Sequence, residues 1–220
     1  MSPIQATPRP LVIVTAFLLA VGLWQVGEGS WIYAKARLAQ YLLQRAWSRT
    51  LDGETTARPW PWADTYPVAK LRVPSMDIDL IVLNGAYGRT LAFGPGYSES
   101  SAFPGSSGTT ILTGHRDTHF RCLKRLGRQD AIVIETLRRT SRRYLVQSSQ
   151  IVDARTAAIS LNDMEDTLIL VTCYPFDTVL TGGPLRYVVT ATRALAVPPR
   201  SIDRPGGRES EGREESTPPT

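Results

Sequence analysis

The sequence predicts a mainly β domain, closed as a barrel or folded as a sandwich, carried behind an N-terminal apolar helix. Three observations lead there. Between Val68 and Leu195, short β-type runs alternate with turn residues and helical periodicity is nearly absent. An apolar segment, Leu11–Val26, precedes them. Only two cysteines occur in 220 residues, so a buried core and not a disulfide framework must hold the domain together. Apolar residues make up 42% of the chain, which suffices for one domain of ordinary size.

Leu11–Val26 reads LVIVTAFLLAVGLWQV, with Gln25 as its one strongly polar residue. A membrane-spanning helix needs about 20 residues. Continuing past a small break in the apolar run at Gly27–Ser30 to Trp31, Ile32 and Tyr33 gives a span over residues 11–33, with aromatics at the interfacial level. Ala34-Lys-Ala36 resembles a signal-peptide cleavage site but lies about ten residues beyond the apolar run. A retained anchor is therefore expected, with residues 1–10 on the cytoplasmic side. The flanking charges argue otherwise: Arg9 precedes the span, while Lys35, Arg37 and Arg45 come after it, so the positive-inside rule does not favour export of the C-terminal domain.

Apolar residues at Ile32, Ala36, Ala39, Leu42, Leu43 and Ala46 repeat with a helical period and predict a juxtamembrane amphipathic helix. Leu51–Asp64 is polar and proline-rich, a linker by composition, although Trp60-Pro-Trp62 implies packing against something. Residues 34–66 thus lead into a domain at 67–197. Its expected strands are Val68–Val73, Ile78–Leu83, Thr109–Gly114, Ala131–Thr136, Arg143–Ser149, Thr167–Thr172 and Leu185–Thr192. Phe120–Leu126 is expected as one short helix, with Phe120, Leu123 and Leu126 on one face. Residues 198–220, charged and without an apolar residue beyond Ile202, are expected to be disordered.

The net charge of +5 is local: from Arg121 to Arg143, eight basic residues face only Asp130 and Glu135. Nucleic-acid binding is not expected, because the interleaved aromatics that stack bases are missing. A solvated hairpin and loop is the ordinary reading, and attraction to anionic lipid or envelope polymer the alternative. Two histidines, His115 and His119, with Cys122 and Cys173 make zinc conceivable, but no Cys-x-x-Cys or paired knuckle supports it.

The chemistry concentrates in Thr113-Gly-His115-Arg-Asp117 and in Thr167-Leu-Ile-Leu-Val-Thr172-Cys173. The second is an apolar, β-branched run of the buried-strand type, stopped by Pro175. Cys173 is thus expected where a core strand emerges, His115 at the end of a similar strand, and Arg186 at the start of a third. A thiol attacks a carbonyl only as thiolate. With ordinary pKa values, a Cys–His pair would be only about 1% ion pair. A nearby permanent cation favours the thiolate and stabilises a developing oxyanion. A histidine can then donate a proton to a leaving amine and accept one from an incoming nucleophile. Taken singly, each residue has a bland structural explanation, above all a buried inert thiol.

The order Gly-His-Arg, then Leu-x-Thr-Cys, then Arg thirteen residues after the cysteine resembles the sortase family. Leu71-Arg-Val-Pro74, Ile78-Asp-Leu80, Gly94-Pro-Gly96, Phe103-Pro-Gly105 and Gly114-His-Arg-Asp-Thr118 extend the resemblance over Val68–Leu195. Trp60-Pro-Trp62-Ala-Asp64 and Thr172-Cys-Tyr-Pro-Phe176-Asp are similar to the marine-type (class GN) sortases of Gram-negative bacteria. One departure is Gly127-Arg-Gln-Asp130, where the family usually has a tight Gly-Asp turn.

The resemblance implies a closed eight-stranded sortase-type β-barrel with short helices, held on the inner membrane by an N-terminal helix and facing the periplasm. It implies Cys173 as nucleophile, His115 as the catalytic histidine and Arg186 as the catalytic arginine. Thr172 would be a substrate-binding residue, with a plain strand role nearly as fitting. His119 is expected to be exposed and Cys122 to pack beneath its loop, both thiols free. The implied partners are a substrate protein with an LPXTG-like C-terminal sorting signal, cleaved at a Thr–Gly-like bond, and an amine acceptor. No metal or organic cofactor is implied. The rivals are another envelope cysteine peptidase or an L,D-transpeptidase, and a non-catalytic anchored β-domain. L,D-transpeptidases keep His and Cys in one motif, whereas 58 residues separate His115 from Cys173.

Overall fold

In the computed structural model, which describes residues 9–159, 165–178 and 182–194, eight strands form the domain. They are β1 (Pro67–Val73), β2 (Ile78–Asn84), β3 (Gly96–Tyr97), β4 (Thr109–Thr113), β5 (Ala131–Thr136), β6 (Ser141–Asp153), β7 (Thr167–Cys173) and β8 (Leu185–Arg193). Hydrogen bonding runs β1-β2-β3-β4-β7-β8-β6-β5 and returns to β1, so the sheet closes on itself. This is the closed barrel that the family resemblance implies and one of the two architectures the strand pattern left open, and it leaves no open sheet edge. The β2–β3 and β4–β7 pairs are parallel, the rest antiparallel.

Alternate side chains fill the interior. Leu71, Leu112, Ile132, Ile134, Tyr144, Leu168, Leu170 and Val189 belong to one core with Phe120 and Leu123 from the β4–β5 connection. Removing each such aliphatic side chain from water stabilises the fold by about 2 kcal/mol before entropy is counted. The interior period of two in β7 therefore points Leu168, Leu170 and Thr172 inward, and Ile169, Val171 and Cys173 outward.

Helix α1 spans Arg9–Leu51 without interruption. Gly27 and Gly29, which interrupt the apolar run, continue the helix, since glycine inside a helix costs only about 1 kcal/mol. The juxtamembrane stretch continues the anchor within the same helix. Only the last third of α1 meets the barrel, where Leu43 and Trp47 pack on Ile81 and Leu83 of β2. Its first part exposes Leu11, Phe17, Leu19, Leu23, Trp24 and Ile32, each more than half accessible. By length and composition, this helix can cross a membrane.

The proline-rich segment after α1 is half seated. Ala57 and Ala63 are buried, and Trp60 meets Phe93 edge-to-face with ring centroids 4.8 Å apart. Trp62 instead stands 81% exposed. Strand β6 is longer than predicted because its polar half, through Ser149 and Gln150, pairs along the whole of β8. The expected short helix after β4 is a 3₁₀ helix, Arg121–Arg125. The expected cytoplasmic start and disordered tail lie, but for Arg9 and Pro10, outside the described residues.

Candidate active site

Three neighbouring strands place the three predicted catalytic side chains. In the antiparallel β7–β8 pair, Cys173 lies directly opposite Arg186. Opposed residues share a face, with Cβ atoms about 5 Å apart. In the parallel β4–β7 pair, Thr113 is opposite Val171, and the pairing continues through the Gly114 amide, which donates to the Val171 carbonyl at 3.1 Å. His115 is thus the next residue on the outer face beside Cys173. All three project outward at one end of the barrel, and both Cys173 and His115 are exposed. Neither cysteine is bonded to the other: Cys173 is exposed and Cys122 buried. The Arg186 guanidinium turns along its own loop, with Nη1 donating to the carbonyls of Gly183 (2.7 Å) and Leu185 (2.9 Å).

Residues 71–194 match the family model for the Sortase domain, more than half of the chain. The chain belongs to the sortase family. Sortase D of Bacillus subtilis (strain 168) is 33% identical over 124 residues, covering 56% of this chain and 62% of its own length. The chain therefore spans less than two thirds of that curated relative. Among solved structures, sortase A from Corynebacterium diphtheriae is 26% identical with a TM-score of 0.55, over 63% of this chain and 65% of that one. Sortase C-1 from Actinomyces oris is 27% identical with a TM-score of 0.51, over 59% and 75% of the two chains.

Thr172 takes a different place from the one expected. Its side chain is 1% exposed and points into the barrel, donating from Oγ1 to the Gly114 carbonyl at 2.7 Å. It does not line the outer face where a substrate would lie. The bond ties β7 to the residue before His115, which fits the plain strand role.

Arg116 belongs to the Gly-His-Arg motif, but its local sequence does not announce what it binds. It is only 7% exposed, yet it carries a permanent charge. Nη1 donates to the Pro175 carbonyl at 2.7 Å and Nη2 to the Thr178 carbonyl at 3.0 Å, while Nε lies 3.4 Å from Asp117. The residue after His115 thereby holds the segment just after Cys173. Lys124 adds a second tie to that segment, 3.1 Å from Asp177. Gly114 is required for a further reason: a Cβ there would meet the Phe120 ring at 2.8 Å. Phe120 closes the turn by donating its amide to the His115 carbonyl at 3.0 Å.

His119 is half-buried, not exposed as expected, because the turn folds back over the barrel end. Burial, and secondarily the charge of His115, lower its pKa and favour the neutral ring. Cys122 packs in the core, as expected, and burial raises its pKa. Among the described residues, no three His, Cys, Asp or Glu side chains group as a metal site.

Proposed function

We propose that this sortase is a membrane-anchored cysteine transpeptidase in which Cys173, His115 and Arg186 form the catalytic group. The observation that carries the reading is their convergence: three side chains from adjacent strand ends share one outward face of an otherwise packed barrel. The Cys173 thiolate attacks the carbonyl of a Thr–Gly-like bond in an LPXTG-like C-terminal signal. The Arg186 guanidinium stabilises the oxyanion, and imidazolium His115 protonates the leaving amine. A thioester with Cys173 results. An amine acceptor then gives its proton to His115 and attacks the thioester, which restores the thiolate and joins the acceptor to the substrate.

Helix α1 serves as the single-pass anchor, which fits its length and its exposed apolar surface. The Trp60–Asp64 and Thr172–Asp177 motifs favour the marine-type subgroup, and with it an inner-membrane anchor and a periplasmic domain.

The test is capture of the thioester. Full-length protein is incubated with LPXTG-like peptides and an amine, then analysed by mass spectrometry. The expected result is a peptide adduct on Cys173, consumed by the amine and absent from Cys173→Ala. An adduct that persists in Cys173→Ala, or no cleavage of any such peptide, overturns the assignment. A non-catalytic β-domain predicts an inert Cys173 in the same experiment.

A further inference from the structure

Near its exit from the apolar span, α1 carries two aromatic–basic pairs. The Lys35 ammonium lies 5.4 Å from the Trp31 ring centroid, and the Arg37 guanidinium 5.1 Å from that of Tyr33. Aromatic rings with basic tips at one level mark a bilayer edge. Leu38 stands five residues beyond Tyr33, which is about 7.5 Å further along the helix axis. The headgroup layer is itself about 5–8 Å deep.

At that level, a groove of about 580 Å³ opens between α1 and the barrel. Leu38, Leu42, Trp60, Trp62 and Phe93 make it apolar, and Lys35, Arg89 and Asp64 are its charged lining. Its outer wall is Trp62, 81% exposed. This exposure belongs to a fixed turn, because Ala63 beside it is 2% exposed and Trp60 is locked edge-to-face on Phe93. Arg89 approaches Asp64 only to 3.8 Å, with both side chains mostly in solvent, so the pair leaves the cation available.

We propose that this groove rests in the headgroup layer of the bilayer that α1 crosses, with Trp62 as an interfacial anchor and Lys35 and Arg89 meeting lipid phosphates. The proposal rests on the anchor reading of α1. Its occupant is lipid, because the groove opens just beyond the exposed apolar span of the same helix and carries Lys35 and Arg89 against a single carboxylate, Asp64. Tryptophan is favoured at such an interface, where its ring is seated and its N–H remains hydrated. The contact would fix the tilt of the barrel and hold the Cys173 end at one height above the membrane.

The test uses full-length chain containing 5-fluorotryptophan in bicelles, with each ¹⁹F resonance assigned by a single Trp→Phe substitution. A phospholipid carrying a nitroxide near its glycerol end supplies the broadening. Trp31 and Trp62 are expected to broaden at least about twofold more than Trp47, which is buried in the fold. Leu38→Asp, at a 56% exposed position, is expected to reduce the Trp62 effect and leave that of Trp31 unchanged. Broadening of Trp31 without Trp62 overturns the groove proposal and leaves the anchor standing. Absence of broadening at Trp24 and Trp31, even with the nitroxide deep in the chain, removes the anchor and the groove proposal with it.

Discussion

The two ends of β7 treat their polar groups in opposite ways. Next to Thr167, the Asp166 carboxylate is 14% exposed and is met by Arg193 at 2.7 Å, Arg142 at 2.8 Å and the Gly108 amide at 3.3 Å. At the other end, Cys173 stands exposed opposite Arg186, and the buried cation Arg116 donates to the backbone carbonyls of the segment that follows the thiol. One strand thus has a closed structural end and an open end held ready by its neighbours. Charge is neutralised where the barrel must hold, and left reachable where chemistry is proposed.

Removing the thiol gives the largest expected effect. Cys173→Ala should lower peptide cleavage and transfer at least about 10³-fold. Because the side chain is exposed, unfolding stability should change by less than about 0.5 kcal/mol. Steady-state rates and thermal unfolding of the same sample check both halves. A variant that loses stability together with activity would show that the open end is structural too.

Arg116→Met should come next. It keeps much of the buried volume but leaves the Pro175 and Thr178 carbonyls without this donor. The segment after Cys173 can then drift, and a displacement of about 1 Å at a reacting group is worth about 10²-fold in rate. The expected signature is a fall in kcat larger than any rise in KM, together with slower alkylation of Cys173. An equal loss in kcat and in folding stability, with unchanged alkylation, would make Arg116 a packing residue only.

How much of this was legible depends on how local each signal is. The seven longer strands announced themselves as apolar runs, whereas β3 is two residues long and exists because Gly96 and Tyr97 pair with β2 and β4. The catalytic trio was readable because each member ends or begins a run. The inward turn of Thr172 was hidden because Ile169 and Val171 are as apolar as Leu168 and Leu170, so the strand shows no alternation in sequence. Arg116 was hidden for a stronger reason: its partners lie 59 and 62 residues away. Local sequence presents it as a loop arginine, and only closure of the barrel buries it.

The closed end is tested by Asp166→Asn. Burial alone would raise the Asp166 pKa, but the Arg193 hydrogen bond, the Arg142 charge and the Gly108 amide outweigh it and hold it below the ordinary value. The folded state therefore binds this proton less readily than the unfolded chain. Its stabilisation is fully present above the unfolded carboxylate pKa of about 3.9, and is lost as pH falls through the lower folded value. Asn cannot meet both guanidinium groups as an anion does, so a loss of about 1–3 kcal/mol at neutral pH is expected. Urea midpoints at pH 7 and near pH 3 are the measurement. The difference between wild type and variant should shrink at the lower pH, and a difference that persists there would mean shape rather than charge.

The smallest effect concerns whether the open end is open throughout or only at Cys173. Cys122 lies in the turn after His115, yet it is 6% exposed, and its Sγ lies 3.5 Å from the His119 carbonyl. Burial raises its pKa, the opposite of what a nucleophile requires. Cys122→Ala should cost only about 1 kcal/mol, the transfer and cavity terms of one small group. It should leave cleavage and transfer rates unchanged. Alkylation separates the two thiols more sharply. In the native protein, Cys173 should react first at every pH from about 6 to about 9, on either side of an ordinary thiol pKa. Cys122 should be modified only as fast as the barrel end opens, a rate that rises with urea. Comparable labelling of both thiols without denaturant would mean that the whole Cys173 end breathes, and that the packing of Phe120 and Leu123 beneath the site does not hold it still.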